Sequence, residues 1–201
     1  NKVTKTANGK SYRRFSSTKD LNKQVFKKSF VSPISRDKFF IKIDEELKWK
    51  ILPETTVMTN LICQKAEVEY GGRQWTAWFT KDVSLFEGPY YFHGLPGLIL
   101  QIQDSEEDFV FAATEISKLE YDALYKIDDG REITWNQYEE IMQTFYDSPY
   151  SSIRVQGKKV YTDNGSGGYK EIDYRERTKE TQKMLENNNN PIELNRKIKY
   201  R

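Results

Sequence analysis

The stretch LICQKAEVEYGGRQWTAWFT, residues 61–80, decides the fold of this chain. Its Gly71-Gly72 pair predicts a two-residue hairpin turn, because both central positions of a type I′ turn require positive φ. The turn fixes a register with these pairs: Tyr70 opposite Arg73, Val68 opposite Trp75, Ala66 opposite Ala77, and Gln64 opposite Phe79. One face of the hairpin is then mostly apolar, and the other carries Trp78 among charged and polar side chains. We expect two antiparallel strands with one buried face.

Further strands are predicted on both sides of this hairpin. LILQIQD (98–104) alternates so that Leu98, Leu100 and Ile102 point inward, and the acidic turn SEED returns the chain into FVFAATEISKLE (109–120). LKWKI (47–51) also alternates, and we expect KFFIKI (38–43) to pair with it across a DEE turn.

Helices are predicted later in the chain. TWNQYEEIMQTFY (134–146) has Thr134 at the N-cap and Gln137 at capping-box spacing, and its apolar stripe predicts a face that packs on the sheet. A polar surface helix follows in DYRERTKETQKMLENNNNP (173–191), which begins at Asp173 and ends before Pro191. IELNRKIKY (192–200) is interpreted as a final strand.

The order of elements predicts an α+β fold in which β-structure dominates. We expect an antiparallel meandering sheet with one or two helices packed on one side, the helices falling in the C-terminal third. Residues 1–24 are polar and rich in turn formers, which predicts a loosely ordered segment or edge. Residues 25–201 are predicted to form a single sheet-plus-helix domain.

Composition excludes several classes of function. The chain has 32 basic and 30 acidic residues, interleaved along its length, so no basic stripe indicates nucleic-acid binding. No apolar run approaches the roughly 20 residues that span a bilayer, and NKVTKTANGK lacks the apolar core of a signal peptide. The lone Cys63 cannot form an internal disulfide, so cysteine usage leaves the redox compartment open.

The stretch GPYYFHGLPGLIL (88–100) raises the question of a functional site. Pro96-Gly97 predicts a type II turn, Gly88-Pro89 an earlier bend, and Gly94 adds an unrestricted position. We interpret the stretch as a rigid corner that sets the register of the next strand. The alternative is a ligand platform, and its candidate binding residues are Trp78, Tyr90, Tyr91, Phe92 and His93.

No catalytic, metal or cofactor site is predicted. Zinc sites need three or four His, Cys or acidic ligands, and the chain has one histidine and one cysteine. Cys63 with His93 shows no sign of an activated thiol, and phosphate-binding glycine loops and nucleophile elbows are missing from the sequence.

Several motifs together carry a family resemblance. GR.W.AWFT, GP..F.GLPGLI and the late NNNNPIEL (187–194) closely resemble the GLPGLI family of Bacteroidota, most clearly over residues 49–104. The resemblance implies an exported protein of the periplasm or cell surface whose signal peptide and first strands precede this sequence. The family's function is unknown. Some members are encoded beside TonB-dependent transporters of the outer membrane, which suggests a transport-accessory role.

Three functions follow as hypotheses. The first is a non-catalytic binding or accessory protein of the cell envelope, with an outer-membrane transporter or another envelope protein as its partner. The second is a hydrolase or peptidase of unrecognised type, with His93 as base and Asp82 or Glu87 beside it. The third is a structural component of an outer-membrane protein assembly.

Overall fold

The computed structural model describes residues 15–20, 25–116, 130–157, 159–163 and 165–201. Over these residues the chain is dominated by β-structure, as the sequence predicts. The strands are β1 (Ser16–Asp20), β2 (Val25–Val31), β3 (Lys38–Ile43), β4 (Lys50–Met58), β5 (Leu61–Tyr70), β6 (Arg73–Thr80), β7 (Leu98–Asp104), β8 (Val110–Ala112), β9 (Arg131–Glu132), β10 (Tyr161–Asp163) and β11 (Tyr169–Glu171). The helices are α1 (Trp135–Asp147), α2 (Ser151–Val155) and α3 (Tyr174–Asn187), and a 3₁₀ turn covers Leu194–Arg196.

The strands form a large sheet and two smaller ones. The large sheet is an antiparallel meander in the order β4-β5-β6-β7-β8. A four-stranded sheet has the order β1-β2-β3-β9, in which β9 pairs with β3 in parallel and the other pairs are antiparallel. Strands β10 and β11 form a separate hairpin. β1 lies at one edge of the four-stranded sheet. The rest of the predicted segment 1–24, apart from Phe15, and residues 117–120 of the predicted strand 109–120 lie outside the described residues.

The central hairpin has the predicted register. All four predicted pairs, from Tyr70–Arg73 to Gln64–Phe79, are present. Gly71 and Gly72 have φ of 64° and 76°, the left-handed conformation that the turn requires. Trp75, Ala77 and Phe79 are fully buried on the inner face. This face forms the first core, together with residues of β7, β8 and the loop between β6 and β7.

The side chains of β7 that face the core differ from those predicted. Ile102 and Ile99 are in the first core, whereas Leu100 is buried outside that cluster and Leu98 is only half-buried. The reason is a β-bulge between Trp78 and Phe79, which shifts the pairing of β6 with β7 by one residue. Such a shift moves the following side chains to the opposite face. The sequence alternation of β7 alone could not reveal it.

The predicted pairing of KFFIKI with LKWKI is wrong. KFFIKI forms β3 as predicted, but it pairs with β2 in the four-stranded sheet. Residues 44–49 are not a tight turn; they run as irregular chain from β3 to β4, which pairs with β5 in the large sheet. The acidic stretch 44–46 thus connects two sheets, because β3 pairs with β2 and β4 pairs with β5.

Helices α1 and α3 lie against the four-stranded sheet. Helix α1 has the predicted capping box, in which the Thr134 hydroxyl accepts from the Gln137 N–H. Its stripe packs on Phe30, Phe39 and Ile41, and this second core also includes Leu185 of α3. Asp173 caps α3 as predicted. The predicted final strand is wrong, because 192–200 contains the 3₁₀ turn and otherwise irregular chain.

The turn at LPGL also differs from the predicted type II turn. The Gly97 N–H donates to the Leu95 carbonyl at 2.8 Å, which closes a three-residue turn around Pro96, and the φ of Gly97 is 152°. A Cβ atom at Gly97 would lie 2.0 Å from the carbonyl oxygen of Thr80. Glycine is required here because two backbone segments pass in direct contact.

We expect Gly97→Ala to destabilise the fold by at least about 3 kcal/mol, because the clash is with backbone atoms that cannot turn away. The matched control is Gly94→Ala, where a Cβ would meet nothing within 4 Å. The control costs only the strain of positive φ, about 1 kcal/mol. Urea unfolding curves of the two variants measure the difference, and equal losses would contradict the close-contact explanation.

Candidate functional site

A buried carboxylate joins the two sheets. Glu193 forms an ion pair with Lys28 of β2, and both side chains are 4% exposed. The hydroxyls of Tyr70 and Tyr90 donate to Oε1 of Glu193, the former at 3.0 Å. We call these four residues the Glu193 cluster. The cluster brings together β2, β5, the loop after β6 and the segment 190–194.

The electrostatics of the cluster favour one charge state. Burial alone would raise the pKa of the Glu193 carboxyl, but the Lys28 ammonium and the hydrogen bonds from Lys28 and Tyr90 outweigh it, so that pKa is lowered. Burial, followed by the neighbouring Glu193 charge, raises the pKa of both Tyr70 and Tyr90. Both phenols are therefore protonated donors, and Glu193 is a charged acceptor.

Aromatic rings surround the Lys28 ammonium. Its Nζ lies 4.3 Å from the ring centroid of Phe15, 5.4 Å from that of Trp135 and 5.6 Å from that of Tyr90. Such cation–π contacts compensate part of the cost of burying a cation. Lys28 also separates the two cores, since Phe26 belongs to the first core and Phe30 to the second on the same face of β2.

A second buried charge holds the same C-terminal segment. Arg73 donates to Asp104 at 2.6 Å and to Asp108 at 2.9 Å. It also donates to the side-chain oxygen of Asn190, to the Pro191 carbonyl at 3.0 Å and to the Ile192 carbonyl at 3.2 Å. One guanidinium thus satisfies the β7–β8 turn and the 190–194 segment together. The hydrogen bonds from Asn190 and Arg73 lower the pKa of Asp108.

The loop stretch 90–93 packs mainly inside the first core. Tyr91 and Phe92 are buried, and the Phe92 ring lies 4.6 Å from that of Trp75 between centroids. Tyr90 has a φ of 56°, a left-handed conformation that costs a non-glycine residue about 1–2 kcal/mol. Its hydrogen bond to Glu193 holds it there. His93 is half-buried, packs edge-on against Tyr91, and its carbonyl accepts from the Trp49 indole at 2.8 Å.

The structure separates the sequence-predicted binding residues. Trp78 lies half-buried on the outer face of the large sheet, opposite Lys65 on β5 and Gln101 on β7. Tyr90 to His93 lie on the inner side, so the five candidates do not share one surface. Among the predicted turn residues, Gly88 is tightly enclosed, since a Cβ there would lie 2.8 Å from Ile99.

An apolar surface lies at the other end of the large sheet. β4 ends, β5 begins, β6 ends, β7 begins and β8 ends at this end, because neighbouring strands run antiparallel. Five large hydrophobic side chains there are 52–68% exposed, namely Val57, Ile62, Leu85, Phe86 and Ile116. We call these residues the apolar end. Val57 and Ile62 face each other across the β4–β5 turn.

The apolar end contains a small pocket. It has a volume of about 120 Å³ and is lined by Leu85 and Ile116 with inner-sheet residues such as Leu100 and Phe111. Pockets for small molecules are about 300–1,000 Å³, so this one fits a single side chain rather than a cofactor. Other exposed hydrophobics, such as Val31 and Val155, lie elsewhere on the surface.

Sequence reasoning missed the Glu193 cluster, Arg73 and the apolar end. A signal existed for the first two: Arg73 lies on the predicted apolar face of the hairpin, and Lys28 interrupts the alternation of Phe26 and Phe30. A charge on a buried face requires a partner of opposite charge. For Val57 and Ile62 the sequence VMTNLI carried no signal, because apolar residues in strands are normally buried.

Metal-ligand groups and membrane-spanning helices are both absent from the ranges that the structure describes. Within them, His, Cys, Asp and Glu side chains do not gather in groups of three that could hold a metal ion. No helix in the same ranges is long and apolar enough to cross a membrane.

Comparison with known proteins gives a family of unknown function and a shared fold. The family described as "Protein of unknown function (Porph_ging)" matches residues 6–101, slightly less than half of the chain. No curated protein was found to be similar. A structure of PNGF-II in space group C2 is 15% identical with a TM-score of 0.50, over 65% of this chain and 25% of that one. A second, in P2₁, is 16% identical with a TM-score of 0.48, over 65% and 24%. The chain thus spans about a quarter of PNGF-II.

We expect Glu193→Gln to destabilise the fold by about 3–5 kcal/mol, because it leaves the Lys28 ammonium buried without its counter-charge. The double variant Lys28→Met with Glu193→Gln is expected to lose much less than the sum of the two single variants. Urea unfolding of the four proteins gives the coupling. Additive losses would show that the two charges do not depend on each other.

The Glu193 cluster also predicts a pH dependence. Because the pKa of Glu193 is lowered by folding, its contribution is complete above the unfolded value of about 4.3 and is lost as the pH falls through the folded pKa. In Lys28→Met, burial without the cation is expected to raise that pKa and reverse the sign. The stability difference between wild type and Lys28→Met should therefore grow from pH 3 to pH 6 in urea unfolding. A constant difference would contradict this account.

Proposed function

We propose that this protein is a non-catalytic binding protein of the cell envelope, which holds a partner protein at its apolar end. The resemblance to the GLPGLI family supports the envelope part of the proposal and suggests an outer-membrane TonB-dependent transporter as the class of partner. The binding part is supported by the surface of the molecule.

One observation carries the proposal: five large exposed hydrophobic side chains share one end of the large sheet. Contiguous exposed apolar surface is costly in water, and in soluble proteins it commonly marks interaction sites. Val57, Ile62 and Phe86 at this end are each at least 60% exposed, and Leu85 and Ile116 line the pocket there.

The shape of this end suits a protein partner. Val57 and Ile62 project from a tight turn whose Thr59 and Asn60 both have positive φ, 48° and 65°. A two-residue turn holds its strand ends firmly, so little conformational entropy is lost when they are covered. The 120 Å³ pocket accepts one apolar anchor from the partner, which is the usual arrangement of an interface hot spot.

A site-specific photo-crosslinker tests the proposal. We expect a crosslinking amino acid at position 62 or 86 to capture a partner protein in cells that produce the chain. The control position is Val155, which is 88% exposed but lies on α2. Equal capture from all three positions, or none from 62 and 86, would overturn the proposal.

We further expect Ile62→Ser with Phe86→Ser to reduce complex formation at least tenfold, since the apolar contacts are removed. Folding stability should change by less than about 1 kcal/mol, because both side chains are already exposed. Val155→Ser is the matched control and should leave complex formation unchanged. Quantitative pulldown with thermal unfolding of each variant separates lost binding from lost folding.

A further inference from the structure

This inference rests on the proposed function and concerns the chemistry of the partner. We propose that the apolar end binds a protein surface with an apolar centre and a basic rim. The charge expected of the partner's rim follows from the charges that surround the five hydrophobic residues on this protein.

The rim of the apolar end is acidic. Asp82 and Glu115 are exposed, Glu87 is half-buried, and Lys81 is the one basic residue in the described stretches 81–87 and 113–116. Asp82 follows β6 by two residues and Glu115 directly precedes Ile116, while Glu87 and Glu115 both line the pocket with Leu85.

The position of Asp82 has independent support. Gln64 of β5 pairs with Phe79 of β6, so the residues that directly follow β6 run alongside the first residues of β5. Asp82 therefore lies beside the β4–β5 turn, and Glu115 lies on the β8 side, so acidic groups flank the apolar end at both sides.

This arrangement disfavours two other occupants. Surfaces that insert into lipid carry Lys and Arg around their apolar residues, and an acidic rim would be repelled by anionic lipid. A symmetric contact with a second copy would place the same patch against itself, with acidic groups opposite acidic groups. A partner with basic residues around an apolar centre has neither penalty, and the opposite charges would speed association.

The experiment uses the full chain with the photo-crosslinker at position 62. We expect Asp82→Lys with Glu115→Lys to lower capture of the partner about tenfold, because attraction at the rim becomes repulsion. The control is Glu106→Lys with Glu139→Lys, which makes the same change in net charge at exposed positions in the β7–β8 turn and on α1. The control should retain capture. Thermal unfolding confirms that both variants fold.

Each outcome decides a separate claim. Capture at position 62 that is lost in Phe86→Ser but unchanged by charge reversal overturns the basic rim and leaves the proposed function standing. Absence of capture at both position 62 and position 86 overturns both. A crosslinked product between two copies, or flotation of the wild-type protein with phosphatidylglycerol vesicles, also overturns this inference. Capture that depends on both the hydrophobic and the acidic residues supports it.

Discussion

The ion pair of Lys28 and Glu193 is the constraint on which the relation between the two sheets depends. A buried cation on β2 is tolerated only where a carboxylate reaches it, and that carboxylate comes from a segment far along the chain. Glu193 in turn accepts hydrogen bonds from Tyr70 of the large sheet and from Tyr90 in the loop after β6. A misplaced segment would leave a charge in the core, so the pair specifies one arrangement of the sheets more strictly than apolar contact does.

The large sheet consequently has two unlike ends. At one end, Arg73 and Glu193 place charged groups in the interior and satisfy them with side chains and carbonyls of the 190–194 segment. At the other, hydrophobic side chains remain in water. At the first end the charged groups are bound within the fold, whereas at the second the exposed hydrophobic side chains form the surface that we propose binds a partner. The stretch 88–100 runs between them: its aromatic residues join the core while Gly88 and Pro89 line the pocket.

Local pattern predicted the local structure well. The register of the central hairpin followed from Gly71-Gly72, and the start of α1 followed from Thr134, because both features depend on neighbouring residues. The predictions that failed concerned features that depend on residues distant in the sequence. The bulge between Trp78 and Phe79, the partner of β3 and the role of Glu193 are each set by tertiary contacts. The candidate binding residues were chosen by aromatic content, which cannot distinguish a core from a surface, and the structure puts Tyr91 and Phe92 in the core.

The separation of 165 residues between Lys28 and Glu193 has a consequence for biosynthesis. At about 5–20 residues per second, a ribosome needs roughly 10–30 s to progress from the lysine to the glutamate. During that interval the hairpin β5–β6 can form from local contacts, but the ammonium has no carboxylate to meet. The nascent chain then contains a partly formed large sheet that has not yet docked on the four-stranded sheet. Docking of the two sheets is therefore a late, long-range event. The partly folded chain that precedes it is the form that a holding chaperone would bind.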